Sequence, residues 1–229
     1  MTAHTIKGPD DFAAAFAVSA ETIARLTTYE ALLKQWQKAV NLVAPGTLGE
    51  IWHRHFADSA QLVALAPSGV RTWTDLGSGG GFPGLVCAIV LADSAFADRH
   101  VAHGRVTLIE SDTRKAAFLR EVLRAVSPLP GIEVEILPAR AESVKTQVNF
   151  VLPRVVSARA LAPLEKLLAL AFPLSPPGTT GLFCKGKEVD HEIDAARQTW
   201  NFDVALVPSV TDRSGRIAVI TNLERKAKD

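Results

Sequence analysis

Five glycines fall within eight positions in the stretch TDLGSGGGFPGLVCAIV, residues 74–90, and apolar residues flank them on both sides. A chain so rich in glycine turns sharply, and its backbone can approach another group closely, because no Cβ stands in the way. The segment before it, RTWTDL (71–76), reads as a strand, and the segment from about Gly84 as an apolar helix. A strand, a glycine turn and a helix in succession open a βαβ unit.

The rest of the chain repeats that alternation. RVTLIE (105–110), the strictly alternating IEVEIL (132–137), PRVVSA (153–158) and TTGLFCK (179–185) read as further strands. TRKAAFLREVLRAV, APLEKLLALAF and HEIDAARQTW read as helices between or after them. FDVALVP and RIAVITN follow with no helical pattern between them, which predicts a hairpin and therefore an antiparallel pair. The pattern predicts an α/β doubly wound sheet of roughly seven mostly parallel strands, with an antiparallel C-terminal strand.

Ahead of it lies a helical region. Residues 10–40 carry apolar Ile23, Leu26, Leu33, Trp36 and Val40 at helical spacing, and Ser19 is placed to cap the second helix. LGEIWHRHFADSAQLVALAP predicts one or two more helices, stopped by Pro67 and Gly69. The composition shift near Val70 divides the chain into a helical region, 1–69, packed on a Rossmann-like domain, 70–229. FAAAFAVSA shares its small apolar residues with a signal peptide, but Asp10 and Asp11 stand where basic residues belong, so it reads as a helix with an acidic start.

Composition narrows the function. A chain 48% apolar can build a sizeable core, and a net charge of +1 excludes nucleic-acid binding by bulk charge, so any such contact needs a local basic patch. Cys87 and Cys184 lie far apart and outside any ligand-spaced cluster, which argues against zinc and disulfides and fits a reducing cytoplasm. No apolar run reaches the ~20 residues of a membrane span. Near-neutral charge suits a monomer.

In open α/β sheets ligands bind beyond the carboxyl ends of the strands. Gly77, Gly79 and Gly81 sit there. Gly79-x-Gly81-x-x-Gly84 matches a dinucleotide fingerprint by letter, but the longer pattern puts Asp75 just before the first glycine. An acid there suits a cofactor with a sulfonium and an ammonium, S-adenosylmethionine, better than a pyrophosphate. Glu110, ending the second strand, is placed for ribose hydroxyls with either cofactor, and Glu142, after the third, for an adenine amino group.

The segments LLKQWQKAVNL, RHFADS, DLGSGGGFPG, LIES with RKAAFLREV, ARAES, SARAL and CKG occur in this order between about residues 20 and 222. Dispersed and co-linear, they resemble the bacterial small-subunit rRNA guanine-N7 methyltransferases once called glucose-inhibited division protein B. The resemblance implies a class I S-adenosylmethionine-dependent fold and methyl transfer to N7 of one guanosine in the 530 loop of 16S rRNA, free or in a precursor of the small subunit. It implies cofactor contacts from Gly77, Phe82, Ala141, Glu142 and Arg159, with Glu110 by the ribose. ADSAFADRHVAHGR is longer than expected for that family.

Guanine N7 carries a lone pair and no proton, so its methylation needs no general base, only in-line positioning. The base must be single-stranded or extruded, and held by aromatic and cationic groups. Phe82, Arg159 and Lys185 are placed for this, and Arg54 and His55 form a second cluster, with Asp58 pairing with one of them. His53 and His55, two apart, point to different faces and predict no metal site. Arg114, Lys115, Arg120 and Arg124 share one helix as a basic stripe. A methyltransferase for another RNA, a small molecule or a protein, a nicotinamide-dependent oxidoreductase, and a non-catalytic nucleic-acid-binding module remain open at this point.

Overall fold

The structure is a computed structural model that describes residues 5–95, 104–144 and 150–227. Seven strands form one sheet: β1 (Thr72–Leu76), β2 (Gly104–Ile109), β3 (Ile132–Leu137), β4 (Val155–Arg159), β5 (Thr180–Lys185), β6 (Trp200–Pro208) and β7 (Arg216–Arg225). Their order is β3-β2-β1-β4-β5-β7-β6. The first five are parallel to one another, and β7 runs antiparallel to both β5 and β6. The terminal hairpin therefore folds back so that its second strand, not its first, joins the sheet. β4 begins two residues later than its apolar run suggests. Arg154 precedes it, half inside the sheet, with its amide donating to the Thr72 carbonyl.

Among the described residues, eight α-helical segments flank the sheet: α1 (Pro9–Phe16), α2 (Ala20–Trp36), α3 (Asp58–Ala60), α4 (Gly84–Leu91), α5 (Thr113–Val126), α6 (Ala141–Val144), α7 (Leu164–Ala171) and α8 (Val189–Ala196). Asp10 and Asp11 occupy the first turn of α1. The Ser19 hydroxyl accepts from the Thr22 amide, capping α2 as the sequence predicts, and Ser19 also donates twice to Asp93 at the end of α4. The predicted helices beyond residue 45 form one rod of changing pitch: a 3-10 turn (Pro45–Glu50), a π turn (Trp52–Ala57), α3, and a second 3-10 turn (Gln61–Leu65).

α4 shows why both layers are needed. All eight of its residues are buried. A helix apolar on every side must be covered on every side. The sheet covers one face, and α2 and the rod of residues 45–65 cover the other, so one core runs from Phe12 and Leu26 through Val86 to Trp73 and Val106. A second core, between α7, α8 and the opposite sheet face, includes Leu76, Val156, Phe183 and Trp200. Each large side chain so buried contributes about 1.5–3 kcal/mol. No helix among the described residues is long and apolar enough to cross a membrane. Most of the long segment after α4 lies outside the described residues.

Candidate functional site

The sheet reverses its winding between β1 and β4: β2 and β3 extend one way, β4 and β5 the other. The crevice expected at such a switch point is present, beside the carboxyl ends of β1, β4 and β5, with a volume of about 560 Å³. That lies inside the ~300–1,000 Å³ range of small-ligand sites. The turn after β1 forms a saddle between this crevice and the ends of β2 and β3.

Gly77 takes φ +64° and Gly81 φ +91°, a left-handed region that other residues enter only with strain. What a side chain there would strike is protein: at Gly77 a Cβ would lie 2.6 Å from Leu161 Cδ1, and at Gly81 2.1 Å from the Tyr29 hydroxyl. Gly79 differs, since nothing but the Gly77 carbonyl oxygen, at 3.8 Å, comes near its missing Cβ. Of these three glycines, Gly79 leaves open space for a ligand. Tyr29 of α2 donates its hydroxyl to the Gly80 carbonyl, and its ring stacks on Phe82 at 5.6 Å with planes 5° apart. The helical region thus holds the turn directly.

Asp75 corrects an expectation. Its carboxylate does not line the crevice. It is fully buried beneath the turn, accepting from the Gly84 amide (3.2 Å) and the Ser157 hydroxyl (2.6 Å), which itself accepts from Trp73 Nε1. Helix α4 begins after Pro83 and has no side-chain cap of its own, so Asp75 serves as one. Burial pushes its pKa up to about 6, against the lowering effect of those hydrogen bonds.

On the far side of the saddle, Glu110 accepts from the Gly79 amide (2.8 Å) and the Asp112 amide (2.7 Å). It is nearly buried and joins the glycine turn to the start of α5. A carboxylate offers about four lone-pair sites, so two stay open for a neighbouring diol. Ala141 and Glu142 open α6 just beyond β3, with Glu142 exposed. The donor set fits an adenosyl cofactor: an acid with spare acceptors, a second acid at the next strand end, and a backbone saddle without side chains.

Inside the crevice, Arg159 is the centre. Its guanidinium donates to the Arg54 carbonyl (2.8 Å), to Asp58 (3.1 Å) and to His55 Nδ1 (2.8 Å), and lies 4.9 Å over the Phe82 ring. Arginine has no acceptor, so Nδ1 of His55 must accept and its proton sits on Nε2, facing the Thr47 hydroxyl at 2.7 Å. Burial, and then the charges of Arg159 and Arg54, push the His55 pKa down to about 3. His55 is therefore neutral, buried and spent on both nitrogens. Asp58 pairs with Arg159, not with Arg54 or His55 as its sequence position suggests, and it also accepts from Thr211 and Gln61.

Lys185, expected to meet the RNA, does line the crevice, but its side chain is 7% exposed, paired with Glu192 and donating to the Ala162 carbonyl. The expected stripe on α5 divides by helical rotation. Lys115 lines the crevice, Arg114 lies 3.7 Å from Asp112, and Arg124 pairs with Glu121. Burial raises the Cys184 thiol well above its usual range, so the one cysteine lining the crevice is not a thiolate nucleophile.

The sequence reading missed Tyr29, Leu161 over Gly77, and the loop between β6 and β7, four of whose residues line the crevice. None carries a local motif, because each acts across more than 50 residues of chain.

Known proteins resemble this chain in sequence and in fold. Proteins named ribosomal RNA small subunit methyltransferase G are similar to this chain over most of its length. That of Parvibaculum lavamentivorans is 44% identical, over 97% of this chain and 96% of its own. That of Rhodospirillum centenum is 48% identical, over 93% and 90%. Among solved structures, an O-methyltransferase from Bacillus cereus in complex with SAH superposes with a TM-score of 0.57 at 17% identity, covering 86% of this chain and 91% of that one. A putative O-methyltransferase from Klebsiella pneumoniae gives 0.53 at 17%, over 85% and 90%. These two likenesses bear on the fold, a class I methyltransferase fold. The family described as rRNA small subunit methyltransferase G matches residues 22–218, and the chain belongs to that family.

Proposed function

We propose that this protein transfers a methyl group from S-adenosylmethionine to N7 of a guanosine in the 530 loop of 16S rRNA, acting as a cytoplasmic monomer on the RNA or a small-subunit precursor. The chain is an rRNA methyltransferase by family, and S-adenosylmethionine is its cofactor. The observation that carries the finer reading is the saddle: Glu110 bound to the Gly79 amide on one side, and an Arg159-centred crevice on the other.

When bound, the cofactor supplies an activated methyl on a sulfonium. Glu110 would accept from its ribose, Ala141 and Glu142 would meet its base, and Gly77 and Gly79 would let its chain pass close to the backbone. The crevice side is left for the target nucleotide, with Phe82 and Arg159 as its floor. We read residues 1–69 as a region packed on a methyltransferase domain, 70–229. Its role is to hold the turn through Tyr29.

The groups lining the crevice suit a reaction without proton abstraction. Asp58 is engaged by Arg159 and Thr211, Glu192 by Lys185 and the Leu164 amide, and Asp212 by Ser214. These carboxylates are committed to protein partners. His55 has no open nitrogen. An N7 acceptor needs only orientation and a site that tolerates charge moving from sulfur to the base.

The test is transfer of labelled methyl to small-subunit RNA from cells lacking this modification, followed by mapping of the labelled base. Label at N7 of a guanosine in the 530 loop supports the proposal. Label on protein, or on another base, overturns it.

A further inference from the structure

Three cations that line the crevice, Arg54, Lys115 and Arg216, have no ion-pair partner within 4.0 Å among the described residues, and neither has Arg213, exposed on the loop that borders it. Every salt bridge found involves other side chains. In a chain of net charge +1 such a concentration is local. Of the four, Arg213 lies in the loop between β6 and β7, and Arg216 opens β7.

That loop is built, not slack. The Ser209 amide donates to the Gly215 carbonyl (3.1 Å), and the Gly215 amide to the Asp212 carbonyl (3.0 Å). Asp212 accepts from the Ser214 amide and hydroxyl, both at 2.8 Å. Arg216 turns back to donate to the carbonyls of Arg213 (2.9 Å) and Gly215 (2.8 Å). From outside, the Val210 amide donates to Gln61 (2.9 Å) and the Thr211 hydroxyl to Asp58 (2.8 Å), the same carboxylate that holds Arg159. One acid therefore locks the loop, the rod of residues 45–65 and the cation of the crevice together. The framework leaves Val210 49% exposed and Arg213 exposed at its tip. An exposed apolar and an exposed cationic side chain three residues apart on a hydrogen-bonded loop suit the face of a sugar or base beside its phosphate.

We propose that the β6–β7 loop is the RNA-gripping wall of the site, with Arg213 on a phosphate next to the target nucleotide and Val210 against the neighbouring sugar or base. This rests on the reading of the crevice as the target-nucleotide side. The occupant is a single-stranded RNA segment, by charge: the unpaired cations Arg54, Lys115 and Arg216 line the crevice, and Arg213 stands exposed on the loop that borders it.

Binding of unmodified small-subunit RNA by wild type, Arg213→Ala, Arg213→Lys and Val210→Ala is measured across a salt series, with cofactor affinity and methyl transfer measured in parallel. Arg213→Ala should weaken RNA binding about fivefold and lower the slope of log affinity against log salt by about 0.7, the loss of one single-strand phosphate contact. Arg213→Lys should restore most of both, Val210→Ala should weaken binding about threefold without changing the slope, and cofactor affinity should stay level throughout. Both altered side chains are exposed, so unfolding does not confound the result. Wild-type transfer with an Arg213→Ala slope unchanged overturns the loop assignment and leaves the proposed function intact. Wild type that neither binds nor labels RNA overturns both.

Discussion

Replacing His55 by glutamine should flatten the acid side of the stability profile. His55 accepts from Arg159 through Nδ1 and is held with a pKa of about 3, against a usual 6.5. The folded state thus binds fewer protons than the unfolded state between those values, so its stability is complete above pH 6.5 and falls as pH drops. Between pH 8 and pH 5 the loss from this one group is about 2 kcal/mol. Glutamine can still accept from Arg159 but does not titrate. Urea unfolding of wild type and His55→Gln at both pH values measures the difference. It should narrow by about 2 kcal/mol at pH 5, whatever the variant costs at pH 8. Parallel profiles would refute the neutral, doubly bonded His55, and with it the assignment of Arg159 as the donor.

Asp75→Asn should act in the opposite sense: an acid whose folded pKa is raised to about 6 stabilises below pH 3.8 and loses that contribution, about 3 kcal/mol, as pH rises through 6. The variant's profile, followed by the same unfolding, should lack that decline. Gly81→Ala should destabilise by about 2–5 kcal/mol, since a strained φ adds to a collision with Tyr29 and Leu119, and a thermal melt will show it. Glu110→Gln should weaken S-adenosylmethionine binding about tenfold or more by calorimetry, because a charged acceptor of the turn and of the ribose is lost.

The fold was largely legible because its strands are written in local patterns. IEVEIL alternates strictly and is β3 residue for residue. The apolar run after the glycine turn is α4. What local pattern does not carry is which strand lies beside which, so the insertion of β7 between β5 and β6 was not readable. In the site, the glycines and Glu110 were legible as consecutive strand ends, and the structure joins them by one hydrogen bond. Asp75 and Lys185 were placed at the right strand ends but given ligand-facing roles, where the structure ties both to protein partners. A single charged letter does not reveal that Gly84 leaves room for Asp75, or that Glu192 reaches Lys185. The π turn over Trp52–Ala57 was also invisible, although it sets the side from which His55 meets Arg159.

The central claim is that one turn separates a cofactor side from a substrate side. A crystal structure with S-adenosylhomocysteine tests it most directly. The account predicts density for the nucleoside along the ends of β2 and β3, both ribose hydroxyls on Glu110, and the Arg159 crevice left open beside it. Density filling the Arg159 crevice instead, with Glu110 still bound only to Gly79 and Asp112, would contradict it.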